Sequence, residues 1–346
     1  MADVKVGMVG LGWAASGHAP AFNANPNCVI DALCTSKDLS EEEICTWAGG
    51  HAATVYHDYD EFLQHPGLDV VDICTPHSVH AEQTVKAAEA GKHLMIEKPL
   101  AINYDDLLEM KRAIDAADIK TTMYFELRFI PHYQFIHSAL DRGLLGDITY
   151  YEVDYYHGIG PWYGQFEWNV RKDMGGSSLI TAGCHALDAI MDFAESEVVE
   201  VCAFSSKSTA EWAQPYEYDT TSTAILKFEN GSHGKCTSSI DCRQPYVFNV
   251  HLVGSEGTLW NDEMWTTQLE GLRGQEWMKI PTAQAESGDV LDHPYPPQID
   301  DFIEAVVEDR DPLVGFDEAF RTHRVMFAIE KALAEGRPVK LDELEV

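Results

Sequence analysis

Positive charge is scarce in this chain. Only 24 lysines and arginines stand against 57 aspartates and glutamates, a formal net charge of −33 over 346 residues. Such a surface repels phosphodiester backbones and anionic lipid, which argues against nucleic acid or anionic membrane as partner. No apolar run approaches the roughly 20 residues that a membrane span needs, and the charged Asp3 and Lys5 argue against a signal peptide. The eight cysteines form no C-x-x-C pair. They read as reduced core thiols of a cytoplasmic protein, and no metal is expected. Internal repeats and low-complexity linkers are also missing. The acids are spread along the chain (Glu41 to Glu43, Asp58 to Glu61, Asp300, Asp301, Asp342 to Glu345) and form no tail. A solvated acidic surface of this kind suits work in high salt, where screening weakens self-repulsion.

What is present is length for two domains and a change of style partway along. Residues 3–9, 28–35, 70–75, 93–97 and 119–125 read as short apolar strands. Between them lie helical patterns at about 18–24, 40–48, 58–64, 78–90 and 104–117. Asp58 and Asn103 are suited to N-caps and Gly91 to a helix end. Alternating strands and helices predict a doubly wound parallel sheet over residues 1–125. From about 126 to 346 the chain is richer in long aromatic strands. Candidates are 148–157, 198–206, 220–229, 232–241, 246–253, 257–260, 265–270 and 275–280, with Asn230-Gly231 a hairpin signal. Helices are expected at about 132–142, 177–193, 298–309 and 317–335. The fold class is therefore α/β, a Rossmann domain followed by an α+β domain with an open, mainly antiparallel sheet. The last helix is expected to pack back on the first domain.

Four stretches carry the chemistry. After the first strand comes Gly10-Leu-Gly12-Trp13-Ala14-Ala15, in the pattern G-x-G-x-x-G/A. Its first glycine makes a tight turn, its second admits backbone N–H groups to a pyrophosphate, and its third small residue lets the next helix pack close. Cys74-Thr75-Pro76-His77-Ser-Val-His80 follows the third expected strand, and Glu97-Lys98-Pro99 the fourth. Gly175-Gly-Ser-Ser-Leu-Ile-Thr181-Ala-Gly-Cys-His185-Ala-Leu-Asp188 lies in the second half. Together these resemble the glucose-fructose oxidoreductase/inositol dehydrogenase/MocA family over nearly the whole chain.

The ammonium of Lys98, just past a strand's carboxyl end, can hold a substrate hydroxyl and stabilise oxyanion character as hydride leaves. His185, with an unperturbed pKa of about 6.5, can exchange the hydroxyl proton. The family commonly has Asp four residues before this histidine, and here Thr181 stands there, so a hydroxyl replaces a charge. Thr181 is expected to assist or to contact a substrate hydroxyl, and Asp188 is an alternative source of charge. Arg128-Phe-Ile-Pro131 matches the family's passage into the second domain and reads as structural.

The resemblance also implies a nicotinamide dinucleotide held by Gly10, Gly12, Trp13, Ala14, Thr75, Pro76, His77, His80, Glu97 and Lys98. His77 replaces a commoner Asn, and His80 is an alternative helix cap. At the end of the second strand Thr35, Ser36 and Lys37 stand where an NAD-selecting acid is usual. Hydroxyls followed by a cation accept a 2′-phosphate, so NADP is preferred, with NAD the alternative. The family places its substrate pocket among Tyr156, His157, Trp162, Tyr163 and Arg171, together with Thr181 and His185. A carbohydrate or cyclic polyol is the expected substrate, and a homo-dimer or homo-tetramer through the second sheet the expected assembly. Two other readings are a glycosidase using transient oxidation and a cofactor-binding sensor without catalysis.

Overall fold

Val4, Val6, Met8 and Val9 are almost fully buried and form β1, Val4–Val9. The computed structural model describes residues 4–272, 276–282, 289 and 292–344. In it the chain divides into two compact units, Met1–Phe125 with Asp289–Arg321 and Glu126–Gly288 with Thr322–Val346.

In the first unit β1 is joined by β2 (Cys28–Cys34), β3 (Thr54–Tyr56), β4 (Val70–Ile73), β5 (His93–Ile96) and β6 (Thr121–Met123). All pair in parallel in the order β3-β2-β1-β4-β5-β6. That order reverses direction between β1 and β4, where doubly wound sheets open a crevice at the strands' carboxyl ends. The five expected strands are all present. The added β3 is three residues long and mostly half-exposed, too short and too wet to show as an apolar run. Asp58 and Asn103 cap as expected, their side chains accepting from Glu61 N and Asp106 N, both at 2.9 Å. Gly91 ends its helix with φ 68°. The helix Ala15–Ala24 buries Ala19 and Phe22 in one cluster with Ile299, Phe302 and Ile303 of the helix Tyr295–Glu308. That second helix starts three residues before its expected position, because Pro296 and Pro297 occupy first-turn positions that need no N–H.

The second unit carries a nine-stranded sheet. Its strands are β7 (Ile148–Tyr156), β8 (Val198–Ser206), β9 (Thr221–Phe228), β10 (His233–Ser239), β11 (Val247–Gly254), β12 (Gly257–Trp260), β13 (Glu263–Thr266), β14 (Met278–Lys279) and β15 (Val339–Lys340). The order is β14-β13-β12-β11-β7-β10-β9-β8-β15, antiparallel except for β7 with β10. Asn230-Gly231 does form the β9–β10 hairpin, with Gly231 at φ 90°. Tyr151, Val153 and Tyr155 of β7 face a covering layer that includes the helix Cys184–Ala194. The opposite face is open and carries exposed Phe204, Ile225 and Trp260. The continuous helix expected at 177–193 is in fact a π-helical turn, Leu179–Gly183, running into Cys184–Ala194. π turns of this kind are frequent at functional sites. No helix among the described residues is long and apolar enough to cross a membrane.

Candidate active site

The carboxyl edge of the first sheet gathers the loops singled out in the sequence. Gly10 has φ 85°, and a Cβ there would lie 2.8 Å from the Cys74 carbonyl, so only glycine lets the β1 and β4 loops meet. Gly12, by contrast, faces open space where its Cβ would project. The helix that follows begins at Ala15 with no side-chain cap and no acid in its first turn. An open cradle beside an uncapped helix N-terminus suits the pyrophosphate of a dinucleotide. Thr75 donates to Gln83 at 2.6 Å, Pro76 is exposed, and Trp13 meets His293 edge-on at 5.3 Å.

His80 does not cap its helix. Its ring nitrogens lie 2.7 Å from the Pro99 carbonyl and 2.8 Å from that of Thr75, tying the β4 loop to the Lys98-Pro99 turn. His77 is buried beside it, ring centroids 5.8 Å apart. Burial and the Lys98 ammonium hold His77 well below its ordinary value, so it is neutral at neutral pH. Lys98 itself is half-buried. At the end of β2, Thr35 is buried, its hydroxyl accepting from Lys37 N at 3.2 Å, while Ser36 and Lys37 are exposed and Lys37 Nζ reaches Leu11 O at 3.4 Å.

Glu97 turns inward. One carboxylate oxygen lies 3.1 Å from His18 Nε2 and the other accepts from Lys98 N at 3.1 Å. His18 Nδ1 lies 2.9 Å from Asp72, and His18 and Asp72 are fully buried. Burial is the largest single influence and opposes charge on His18, but Asp72 and Cys74 together outweigh it and hold the imidazole well above its ordinary value. Burial likewise pushes the Glu97 carboxyl up, and His18, Lys98 and His80 together offset it, leaving the net shift downward. The result is an imidazolium between two carboxylates, one of them bonded to the backbone of Lys98. The sequence analysis missed His18; the only signal was a histidine one turn into the helix after Ala15.

In the second unit His185 opens the helix Cys184–Ala194 and is 5% exposed. Phe248 stands edge-on to its ring, centroids 6.4 Å apart. The ring's Nε2 lies 3.9 Å from Oε1 of Glu126, which is 1% exposed. Around them Tyr155, Tyr246, His157 and Tyr163 form an aromatic nest: Tyr155 OH and His157 Nδ1 are 3.0 Å apart, and His157 packs on Tyr246 at 4.9 Å and Tyr163 at 5.9 Å.

Thr181 lies in the π turn and donates its hydroxyl to Asn169 Oδ1 at 2.8 Å, while Tyr218 OH donates to the Asn169 carbonyl at 2.7 Å. Asn169, Tyr218, Glu126 and Phe248 carried no motif in the sequence and were not anticipated. Tyr156 is not in the nest. It alternates to the open face of β7, the side of Asp154 and Lys235. Trp162 is 67% exposed against Trp212 at 5.2 Å, and the Arg171 guanidinium pairs with Asp173 at 2.6 Å on the surface. Asp188 is engaged elsewhere: Arg128 clasps it through two 2.8 Å bonds and Thr322 donates to it at 3.0 Å. Arg128 is thus structural, as read.

A dinucleotide-type sheet joined to an α+β unit with a buried histidine nest defines a two-domain oxidoreductase. Comparison with known proteins supplies the family. A profile described as "oxidoreductase family, NAD-binding Rossmann fold" matches residues 4–125, and one for the GFO/IDH/MocA C-terminal domain matches residues 133–260. The chain belongs to the Gfo/Idh/MocA family of oxidoreductases. It is 23% identical to myo-inositol 2-dehydrogenase of Thermotoga maritima over 99% of both chains. It is 27% identical to an NADP-dependent scyllo-inositol 2-dehydrogenase of Bacillus subtilis, over 60% of this chain and 57% of that one. A solved levoglucosan dehydrogenase in complex with NADH and L-sorbose shares the fold at TM-score 0.86 and 21% identity, covering 99% of this chain and 100% of that one.

Proposed function

We propose that this protein is a nicotinamide-dinucleotide-dependent dehydrogenase or reductase of a sugar, sugar derivative or cyclic polyol, with NADP preferred. The observation that carries this reading is the clustering of Lys98, buried His77 and the open Gly12 cradle on loops at the carboxyl edge of one parallel sheet. When bound there, the nicotinamide supplies the hydride acceptor or donor. Gly10, Gly12, Trp13, Ala14, Thr75 and Pro76 would hold the dinucleotide. Lys98 binds the reacting hydroxyl and stabilises negative charge on its oxygen. His185 accepts the hydroxyl proton in oxidation and returns it in reduction. Thr181, held by Asn169, keeps the turn before His185 in place.

The NADP preference is supported by the absence of a carboxylate at Thr35-Ser36-Lys37 and by the exposed Lys37 ammonium. The inositol and levoglucosan relatives support the substrate class. His157 and Tyr163 are the proposed substrate contacts of the second unit, with Arg171 and Trp162 at the surface. A homo-oligomer through the open sheet face is supported by Phe204, Ile225 and Trp260 there. The reading is tested by following reduced-nicotinamide absorbance over inositols, aldoses and glycosides with each cofactor. Turnover with polyols or sugars and lower KM for NADP are expected; no turnover across the panel overturns it.

A further inference from the structure

The family pattern pairs the histidine with an aspartate four residues earlier, and this chain has Thr181 there, its hydroxyl donated to Asn169. A carboxylate nevertheless reaches the imidazole from elsewhere in the same unit. We propose that Glu126, from the short helix Glu126–Phe129, is the positioning partner of His185 and replaces the missing aspartate. This rests on the role proposed above for His185.

Three observations carry it. Glu126 Oε1 lies 3.9 Å from His185 Nε2, close enough for direct electrostatic attraction. Both side chains are withdrawn from water, at 1% and 5% exposed, so that attraction is weakly screened. Finally, the carboxylate is held in place: Tyr246 OH donates to the same Oε1 at 3.2 Å.

Within the second unit, the described groups packed around this pair are mostly aromatic. The phenols of Tyr133, from the helix Pro131–Asp141, Tyr155, from β7, and Tyr246 are pushed far above their ordinary values by burial and by Glu126 itself or a neighbouring phenol, so they stay protonated. Cys184 and Tyr163 flank the same nest. Arg128, two residues along, points its guanidinium at Asp188 and Asp192. Glu126 thus favours the protonated imidazole, which makes His185 a stronger base and a better acceptor of the substrate proton.

The test is an NMR titration of the histidine-labelled full chain without substrate, with the His185 signal assigned by its loss in His185→Asn. Glu126→Gln removes the charge and keeps the shape, and the His185 midpoint is expected to fall by about one pH unit or more. Glu126→Asp restores part of the shift. Tyr246→Phe deletes the donor that partly neutralises Glu126, and moves the midpoint the opposite way, upward. This variant reads the pair even if Glu126→Gln fails to fold. An unchanged midpoint in a folded Glu126→Gln protein, or in Tyr246→Phe, overturns the pairing. The proposed base role fails separately, if His185→Asn retains full turnover.

Discussion

His18 sits between Asp72 and Glu97, its two ring nitrogens 2.9 Å and 3.1 Å from their carboxylates, with no water-accessible surface on its own side chain. Glu97 in turn accepts from the backbone N–H of Lys98. The proposed substrate-binding lysine is therefore anchored at its main chain by a buried charge triad rooted in the helix Ala15–Ala24. Removing the imidazole leaves two carboxylates without their cation in a dry interior. His18→Ala is expected to cost about 3–5 kcal/mol of stability, the range for breaking a buried ion pair, measured by urea unfolding.

The same triad sets a pH dependence. His18 titrates higher in the folded protein than in the unfolded chain. Its contribution is then fully present below about 6.5, the unfolded value, and is lost as pH rises through the higher folded value. Glu97, lowered in the fold, contributes above the unfolded glutamate value and loses its part as pH falls. Unfolding free energy of the wild type is expected to decline from neutral pH upward through the His18 titration. That decline should be absent in His18→Asn; an identical slope in both proteins contradicts the charge state assigned to His18.

Cofactor choice is tested at the end of β2. Lys37 is exposed and has no acid in the adjacent Thr35-Ser36 positions. A charge-assisted contact to a 2′-phosphate is worth about 1.5–3 kcal/mol. Lys37→Ala is expected to raise KM for NADP by roughly tenfold or more while changing KM for NAD little, read from initial rates. Equal effects on the two cofactors would assign Lys37 another task.

Thr181 is bonded to Asn169, and Asn169 also receives Tyr218. Thr181→Val is expected to cost about 1 kcal/mol of stability and to lower kcat only severalfold. A loss as deep as that of His185→Asn would mean that the hydroxyl acts on substrate directly.

Much of this arrangement was legible in the sequence because it is local. Gly10 and Gly12 follow a buried strand, Lys98 precedes Pro99, and Asp58 and Asn103 cap the helices they begin, so each is fixed by neighbours a few residues away. The alternation of strand and helix likewise gave the first sheet's parallel character, with the three-residue β3 escaping there and the two-residue β15 escaping in the second sheet. What escaped in the site is non-local. Glu126 meets His185, and His18 meets Asp72 and Glu97, across long sequence separations that periodicity does not report. Tyr156 and Tyr155 are adjacent in sequence, and only the pleat of β7 decides that Tyr155 faces the histidine nest and Tyr156 the open face.

The acidic surface gives a prediction of its own. At −33 the folded chain repels itself, and salt screens that repulsion. The melting temperature is expected to rise steadily from low to molar potassium chloride. No change over that range would show that the acids are already well separated.

The most direct measurement is a comparison of wild type with Lys98→Ala for turnover and for dinucleotide binding in the same preparation. The ammonium is proposed to act on the reacting oxygen and not to hold the cofactor. Losing it should lower kcat/KM by about 100-fold to 1,000-fold, as for removal of an oxyanion donor, while Kd for the dinucleotide stays within about threefold, under 1 kcal/mol. Near-normal turnover in Lys98→Ala, or loss of dinucleotide binding in proportion to loss of rate, would contradict the account.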